Sequence, residues 1–109
     1  MEVNIDEEKT QNGWVVVNAG NRIDLKNSDA IYERMEEIIK REEKVVLDMA
    51  KVEYLSSAGL RVFLRLKKLA NKDGREFTIA GASGVVKNIL KVSGIDTLLE
   101  AKESLSEIL

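Results

Sequence analysis

The start of the chain has the alternating pattern of a β-hairpin. Residues 3–5 alternate apolar and polar side chains, and residues 14–17 form an aromatic and β-branched run of the kind that strands favour. Asn12-Gly13, between the two runs, is a typical hairpin turn. The pattern therefore predicts two antiparallel strands, and Gly20-Asn21 ends the second of them.

A helix and a buried strand are predicted next. Asn27 or Ser28 can cap the helix, whose apolar residues recur at helical spacing: Ile31, Met35, Ile38 and Ile39. Residues 44–48 then contain a short apolar run bounded by charged residues, which is the pattern of a strand covered on both faces. We expect this strand to lie at the centre of a sheet.

The segment from Ser57 to about Asp73 carries the strongest helical pattern. Apolar residues fill most of its faces, and four of its charged residues form one stripe at spacings of four, three and four: Arg61, Arg65, Lys68 and Lys72. Asp73-Gly74 ends the helix. A further strand follows at residues 77–80, and Ser83 caps a short helix that stops at Gly94.

The chain closes with a helical segment predicted somewhere between Thr97 and Leu109, with Leu105, Ile108 and Leu109 as its buried face. The whole order is ββαβαβαα, without an internal repeat or linker, and it predicts one α/β domain over residues 1–109. Strands joined through helices pair largely in parallel. We therefore expect a four- to five-stranded mixed sheet, mostly parallel with an antiparallel edge strand, packed with about four helices.

Composition narrows the possible functions. Charged residues make up 33% of the 109 residues but the net charge is only −2, so attraction to nucleic acid or to an acidic membrane surface is not favoured. The chain has no cysteine and no histidine, which excludes a disulfide, a thiolate nucleophile and a Ser-His-Asp triad. We expect no metal and no cofactor. No signal peptide or membrane span is evident, so we expect a cytoplasmic protein.

A functional site is most expected at residues 54–60, the junction between the central strand and the second long helix. Ligands of α/β folds gather at the carboxyl ends of strands and at helix N-termini. Ser56 and Ser57 lie there, and either can simply cap the helix. The Gly-x-Ser-x-Gly motif of a hydrolase nucleophile elbow is only half present, since Leu55 and not a glycine lies two residues before Ser57, and Gly59 lies two residues after it. The glycine-rich residues 81–84 lack the Lys-Ser/Thr pair of a phosphate-binding loop. We therefore expect no enzymatic activity.

Residues 45–60, VVLDMAKVEYLSSAGL, resemble a known family. An apolar strand, an Asp, a short linker, an aromatic-apolar pair and Ser/Asp-Ser-Ser/Thr/Ala-Gly-Leu at a helix start resemble the STAS domain of bacterial anti-sigma factor antagonists. Three further segments extend the resemblance over nearly the whole chain: residues 20–24, with one residue more than the family's Gly-x-Leu/Ile-Asp, residues 74–81, and residues 85–95.

The resemblance implies a partner-switching role. The unphosphorylated antagonist binds an anti-sigma factor and releases a sigma factor, and the anti-sigma factor is typically also an ATP-dependent serine kinase. That kinase phosphorylates the serine matching Ser57 and ends the association, and a phosphoserine phosphatase resets the system. The preceding position is often Asp in the family and is Ser56 here, so Ser57 is preferred by its distance to Gly59, with Ser56 the second choice.

The resemblance also implies a set of partner-binding residues: Asp24, Ser56, Ser57, Ala58, Gly59 and Arg61. For Asp24 a turn hydrogen bond is an equal alternative, and for Arg61 and Arg65 solvated charge is the simpler interpretation. Gly59 is expected to permit close approach, so that a bulky replacement impairs docking more than stability. We expect a monomer with no direct contact to nucleic acid or membrane. The alternative is a STAS scaffold or ligand-binding module of a sensory complex that does not act on a sigma factor.

Overall fold

A computed structural model of the chain describes residues 5–10 and 12–109. Its elements follow the predicted alternation of strands and helices. In chain order they are β1 (Asp6–Lys9), β2 (Trp14–Asn18), β3 (Arg22–Ile23), α1 (Ser28–Arg41), β4 (Lys44–Asp48), β5 (Tyr54–Leu55), α2 (Ser57–Lys72), β6 (Glu76–Ala80), α3 (Gly84–Val92), α4 (Ile95–Leu98) and a 3₁₀ turn (Leu105–Glu107).

Within the described residues, the main sheet has four strands in the order β1-β2-β4-β6. β1 pairs antiparallel with β2, and the other neighbours are parallel. β4 lies inside the sheet, with Val45 opposite both Val15 of β2 and Phe77 of β6. The predicted mixed sheet, its antiparallel edge strand and its central strand are thus confirmed.

α1 and α2 pack side by side over one face of this sheet. Because side chains alternate along a strand, every second residue of β2, β4 and β6 points into the core beneath the helices: Val15, Val17, Val45, Leu47, Phe77 and Ile79. Helical spacing brings Ile31, Met35, Phe63 and Leu66 down onto them, all fully buried. None of the helices in the described residues is long and apolar enough to cross a membrane.

The opposite face of the sheet is covered by the C-terminal segment. Thr78 is buried there and its hydroxyl donates to the Leu99 carbonyl at 2.8 Å. Lys102 then pairs with Ala80 at the edge of β6, and the Asn12 amide donates to the Ile108 carbonyl beside the hairpin turn. The expectation of one helix with a buried leucine face is wrong here: the segment contains α4 and a 3₁₀ turn, and Leu109 is exposed.

The described residues differ from the predicted strands in two ways. The first strand that they contain is Asp6–Lys9, and of the predicted strand at residues 3–5 only Ile5 lies among the described residues. In the register set by the turn at Gly13, Lys9 pairs with Val15 and Asp6 with Asn18. The sequence pattern also gave no sign of the short strands β3 and β5, which form a separate parallel pair. Two residues are too few to show any periodicity.

Ion pairs fasten the edge strand β1 to α1. Glu7 contacts both Arg34, at 3.0 Å, and Arg41, while Lys9 lies 3.3 Å from Glu42. The hydrogen bond from Arg41 and that from Lys9 hold the pKa of Glu42 below its ordinary value, although burial opposes them. The carboxylate of Glu42 therefore favours the folded state only while it is ionised.

Acidification is expected to weaken this attachment. Because the pKa of Glu42 is lower in the folded chain, the contribution of this carboxylate to stability is complete above its ordinary pKa of 4.5. The contribution is lost as the pH falls through the lowered pKa. Urea unfolding at pH 7 and pH 3 is expected to show a smaller acid loss in Glu42→Gln than in the wild type, by a few tenths of a kcal/mol for so exposed a pair. Glu43→Gln, an exposed neighbour, is the control. An equal acid loss in all three proteins would contradict the prediction.

Candidate functional site

The site is assembled where two short parallel strands end side by side. β3 pairs with β5 so that Arg22 lies opposite Tyr54 and Ile23 opposite Leu55. The N–H of Ser56 continues the pairing by donating to the Ile23 carbonyl at 3.0 Å. The carboxyl ends of both strands therefore meet at one edge, and the loop carrying Asp24 lies against the start of α2.

The two serines at this edge have different environments. Ser56 is the N-cap of α2: its backbone is extended, and its hydroxyl oxygen accepts a hydrogen bond from the Gly59 N–H at 3.3 Å. Ser57 is the first residue of the helix and is exposed. Among the described residues its hydroxyl makes no hydrogen bond. One serine thus closes the helix end, while the other presents a free hydroxyl to the surroundings.

Gly59 allows the helix to lie this close to the short strands. It is buried, and a Cβ atom built on it would lie 2.6 Å from Cδ1 of Leu55 and 2.8 Å from Cγ2 of Ile23. Both distances are too short for carbon atoms in contact. The close approach that the sequence led us to expect is therefore made within the chain. Replacement of Gly59 is therefore expected to lower stability as well, and its effect on docking stays a prediction.

Asp24 is fixed by its own loop. Its Oδ1 accepts hydrogen bonds from the N–H groups of Lys26, at 2.9 Å, and Asn27, at 3.1 Å, and its Oδ2 accepts from Nε of Arg22 at 3.2 Å. Burial alone would raise the pKa of Asp24, but these hydrogen bonds outweigh it and hold the pKa below its ordinary value. The turn interpretation is thus realised, and the edge keeps an ionised carboxylate.

Arg22 and Tyr54 belong to the same edge, and sequence reasoning missed both as site residues. The guanidinium of Arg22 lies over the Tyr54 ring, 4.3 Å from its centre, while also pairing with Asp24. This stacking depends on the register of β3 against β5, which places the two residues opposite each other. No local pattern in the sequence carries that information.

The remaining predicted residues lie along the first turns of α2. Ala58 is half-buried, and Arg61 is exposed one turn after Ser57. Arg65, one turn further on, stacks on the Tyr32 ring of α1 at 3.8 Å from its centre. The structure thus brings Asp24, Ser56, Ser57, Ala58 and Arg61 to one surface, with Gly59 beneath it.

Apolar side chains border this surface. Leu25, directly after Asp24, is 77% exposed, and Tyr54 is 45% exposed. α3 packs against β5 and leaves Val85 and Val92 largely exposed. No group of three or more acidic side chains that could hold a metal ion occurs in residues 5–10 and 12–109. An exposed hydroxyl, fixed charges and solvated apolar residues suit docking of a protein better than conversion of a small molecule.

Comparisons with known proteins identify the family and agree with the fold. The family model described as the STAS domain matches residues 6–108. An "Anti-sigma F factor antagonist" of Paenibacillus polymyxa is 30% identical over 91 residues, which are 82% of this chain and 78% of that protein. The crystal structure of an anti-sigma factor antagonist from Mycobacterium paratuberculosis has a TM-score of 0.85 at 19% identity, covering 97% of this chain and 90% of that one. Phosphorylated SpoIIAA of Bacillus has a TM-score of 0.70 at 12% identity, covering 95% of both chains.

The two serines are expected to differ in their effect on stability. Ser56→Ala removes the side-chain cap of α2 and is expected to lower the free energy of unfolding by about 1 kcal/mol. Ser57→Ala removes a hydroxyl without a partner and is expected to change it by less than about 0.5 kcal/mol. Urea denaturation of both variants and the wild type measures the difference. The prediction fails if Ser57→Ala is the more destabilising of the two.

Replacement of Gly59 is expected to act on the fold. In Gly59→Ala the new methyl group overpacks the contact with Leu55 and Ile23, which typically costs about 1–3 kcal/mol and exceeds the roughly 0.5–1 kcal/mol that Ala gains over Gly in a helix. Denaturation curves are expected to show a net loss of stability. The double variant Leu55→Ala/Gly59→Ala is expected to lose less than the sum of the single variants, because the shortened side chain makes room. An additive double variant would rule out the contact as the cause.

Proposed function

Since the chain belongs to the STAS domain family, we propose that it is an anti-sigma factor antagonist switched by phosphorylation of Ser57. The unphosphorylated form binds a serine-kinase anti-sigma factor and so releases the sigma factor. Phosphorylation of Ser57 by that kinase abolishes the binding, and a phosphoserine phosphatase restores it. In this proposal the chain itself is a binding protein, not an enzyme.

The observation that carries the proposal is the difference between the two serines. A kinase needs a hydroxyl that it can reach and that is not already engaged in the fold. Ser57 has such a hydroxyl, on the first residue of α2, whereas the hydroxyl of Ser56 is half-buried and caps the helix. The geometry thus supports Ser57 over Ser56 as the acceptor, on grounds that do not depend on the family.

The family supports the choice of partner. The Paenibacillus relative is named for antagonism of the anti-sigma F factor, and it aligns over most of this chain. Exposed apolar residues, Leu25 and Tyr54 at this edge and Val85 and Val92 on α3, are solvated in the isolated chain and would gain from burial against a protein. Asp24, Ser56 and Arg61 supply polar side chains around Ser57, Ala58 supplies a small apolar one, and Gly59 allows α2 to pack closely on Ile23 and Leu55.

Phosphorylation can block this surface without unfolding the chain. A phosphate adds about −1.5 to −2 charges, and at a helix N-terminus it meets backbone N–H groups and the positive end of the helix dipole. The fold has been solved in a phosphorylated form in Bacillus SpoIIAA, so the modification is compatible with it. Placed in the middle of a docking surface, the added charge and bulk need to cost only about 3 kcal/mol to weaken binding more than a hundredfold.

The first experiment is phosphorylation in vitro. The purified chain, Ser57→Ala and Ser56→Ala are each incubated with a candidate serine-kinase anti-sigma factor of the same cell and Mg-ATP. Intact-mass and peptide mapping are expected to find one phosphate at Ser57 in the wild type and in Ser56→Ala, and none in Ser57→Ala. Calorimetry is expected to show binding of the kinase by unphosphorylated wild type, weakened more than a hundredfold by the phosphate.

Each component of the proposal has its own contrary result. A phosphate on Ser56 that survives in Ser57→Ala would show that the acceptor is Ser56 and not Ser57. A complex that forms equally well with and without phosphate would remove the switch. Failure to bind or to be phosphorylated by any such kinase would leave a STAS scaffold or ligand-binding module of a sensory complex that does not act on a sigma factor.

A further inference from the structure

The exposed side of α2 carries only positive charge. The helix contains Arg61, Arg65, Lys67, Lys68 and Lys72 and not one carboxylate. Positive side chains near a helix N-terminus are unfavourable with respect to the helix dipole, and in the unmodified chain nothing within α2 compensates Arg61. A negative group at the start of the helix would correct this imbalance.

Ser57 and Arg61 are neighbours on the helix surface. They are four residues apart, both exposed, and residues at this spacing lie on the same face with their side chains within contact distance. Among the described residues Arg61 forms no ion pair, whereas Arg65, the next cation in the same row, is stacked on Tyr32. Arg61 is therefore the available guanidinium one turn from the serine.

The backbone leaves part of the helix end available to the same group. The Gly59 N–H donates to the Ser56 hydroxyl and the Leu60 N–H to the Ser56 carbonyl. In the part of the chain that the structure describes, the N–H groups of Ser57 and Ala58 have no such acceptor. A negative group on Ser57 would therefore have both these backbone donors and, one turn further on, the Arg61 guanidinium within the same part of the helix.

We propose that Arg61 is the intramolecular partner of the phosphate carried by Ser57. The inference rests on Ser57 being the phosphorylated residue. The planar guanidinium matches two phosphate oxygens, and such charge-assisted pairs are stronger than those between neutral groups. The pair holds the phosphate against the first turn of α2 instead of leaving it extended into solvent.

The pairing gives phosphorylation a second effect on the docking surface. Besides adding the phosphate, the modification withdraws Arg61 from any contact with an incoming protein. It also neutralises part of the added charge, so the block depends on the position of the phosphate more than on its long-range field. Arg61 is then a positioning residue of the switch, with different roles in its two states.

The test uses the full chain with phosphoserine incorporated at position 57 during translation, so that neither a kinase nor a binding partner is needed. ³¹P NMR titration measures the second ionisation of the phosphate, which lies near pH 6 in an unperturbed phosphoserine. In the otherwise wild-type chain the midpoint is expected about 0.2–0.4 pH unit lower than in Arg61→Gln, the size of one ion pair at this spacing. Arg61→Lys is expected to fall between the two, and Arg65→Gln to match the wild type.

Equal midpoints in the wild type and Arg61→Gln would overturn the pairing, as would an equal rise in Arg65→Gln, which would indicate a general charge effect. Because Arg61 is exposed, the variants are expected to fold, and circular dichroism of the same samples verifies it. The titration does not involve the kinase. A lowered midpoint together with failure of the kinase experiment would keep the Arg61 pair and reject the proposed function. Equal midpoints together with phosphorylation of Ser57 by the kinase would keep the proposed function and reject the Arg61 pair.

Discussion

The site depends on the parallel contact between β3 and β5, which is only two residues long in each strand. This contact joins two loops far apart in the sequence and places Asp24 against the start of α2. It is possible because Gly59 has no side chain, so that Ile23 and Leu55 can fill the space beneath the helix. The short strands gain little from their own hydrogen bonds, and the packing of α2 on them holds the edge together.

Within this edge, a shift of one residue separates two tasks. Ser56 has the extended backbone of an N-cap and uses its hydroxyl to satisfy a helix N–H, while Ser57 is the first residue of the helix and is exposed. The same turn therefore supplies a stabilising hydroxyl and an accessible one. A modification of the second can proceed without opening the helix, because the first continues to cap it.

The arginines around the site differ in whether a neighbouring side chain holds them. Arg22 is held between Asp24 and Tyr54, Arg65 lies on Tyr32, and Arg61 has no such contact in the described residues. The contacts of Arg22 and Arg65 hold these side chains in place, whereas Arg61 is available to pair with a phosphate on Ser57. The proposed switch thus acts through local electrostatics and needs no change of fold.

The sequence by itself determined the α/β class, the central strand, α1 and α2, because both helices show helical spacing over many residues and the strand is a short apolar run between charged residues. It also determined the Ser56-Ser57 motif and the charged stripe of α2. Only the tertiary structure decided that β3 and β5 pair, that Arg22 stacks on Tyr54, that Gly59 contacts its own chain, and how residues 95–109 cover the second face. These features arise from contacts between distant segments, and two-residue strands or irregular turns leave no periodic trace in the sequence.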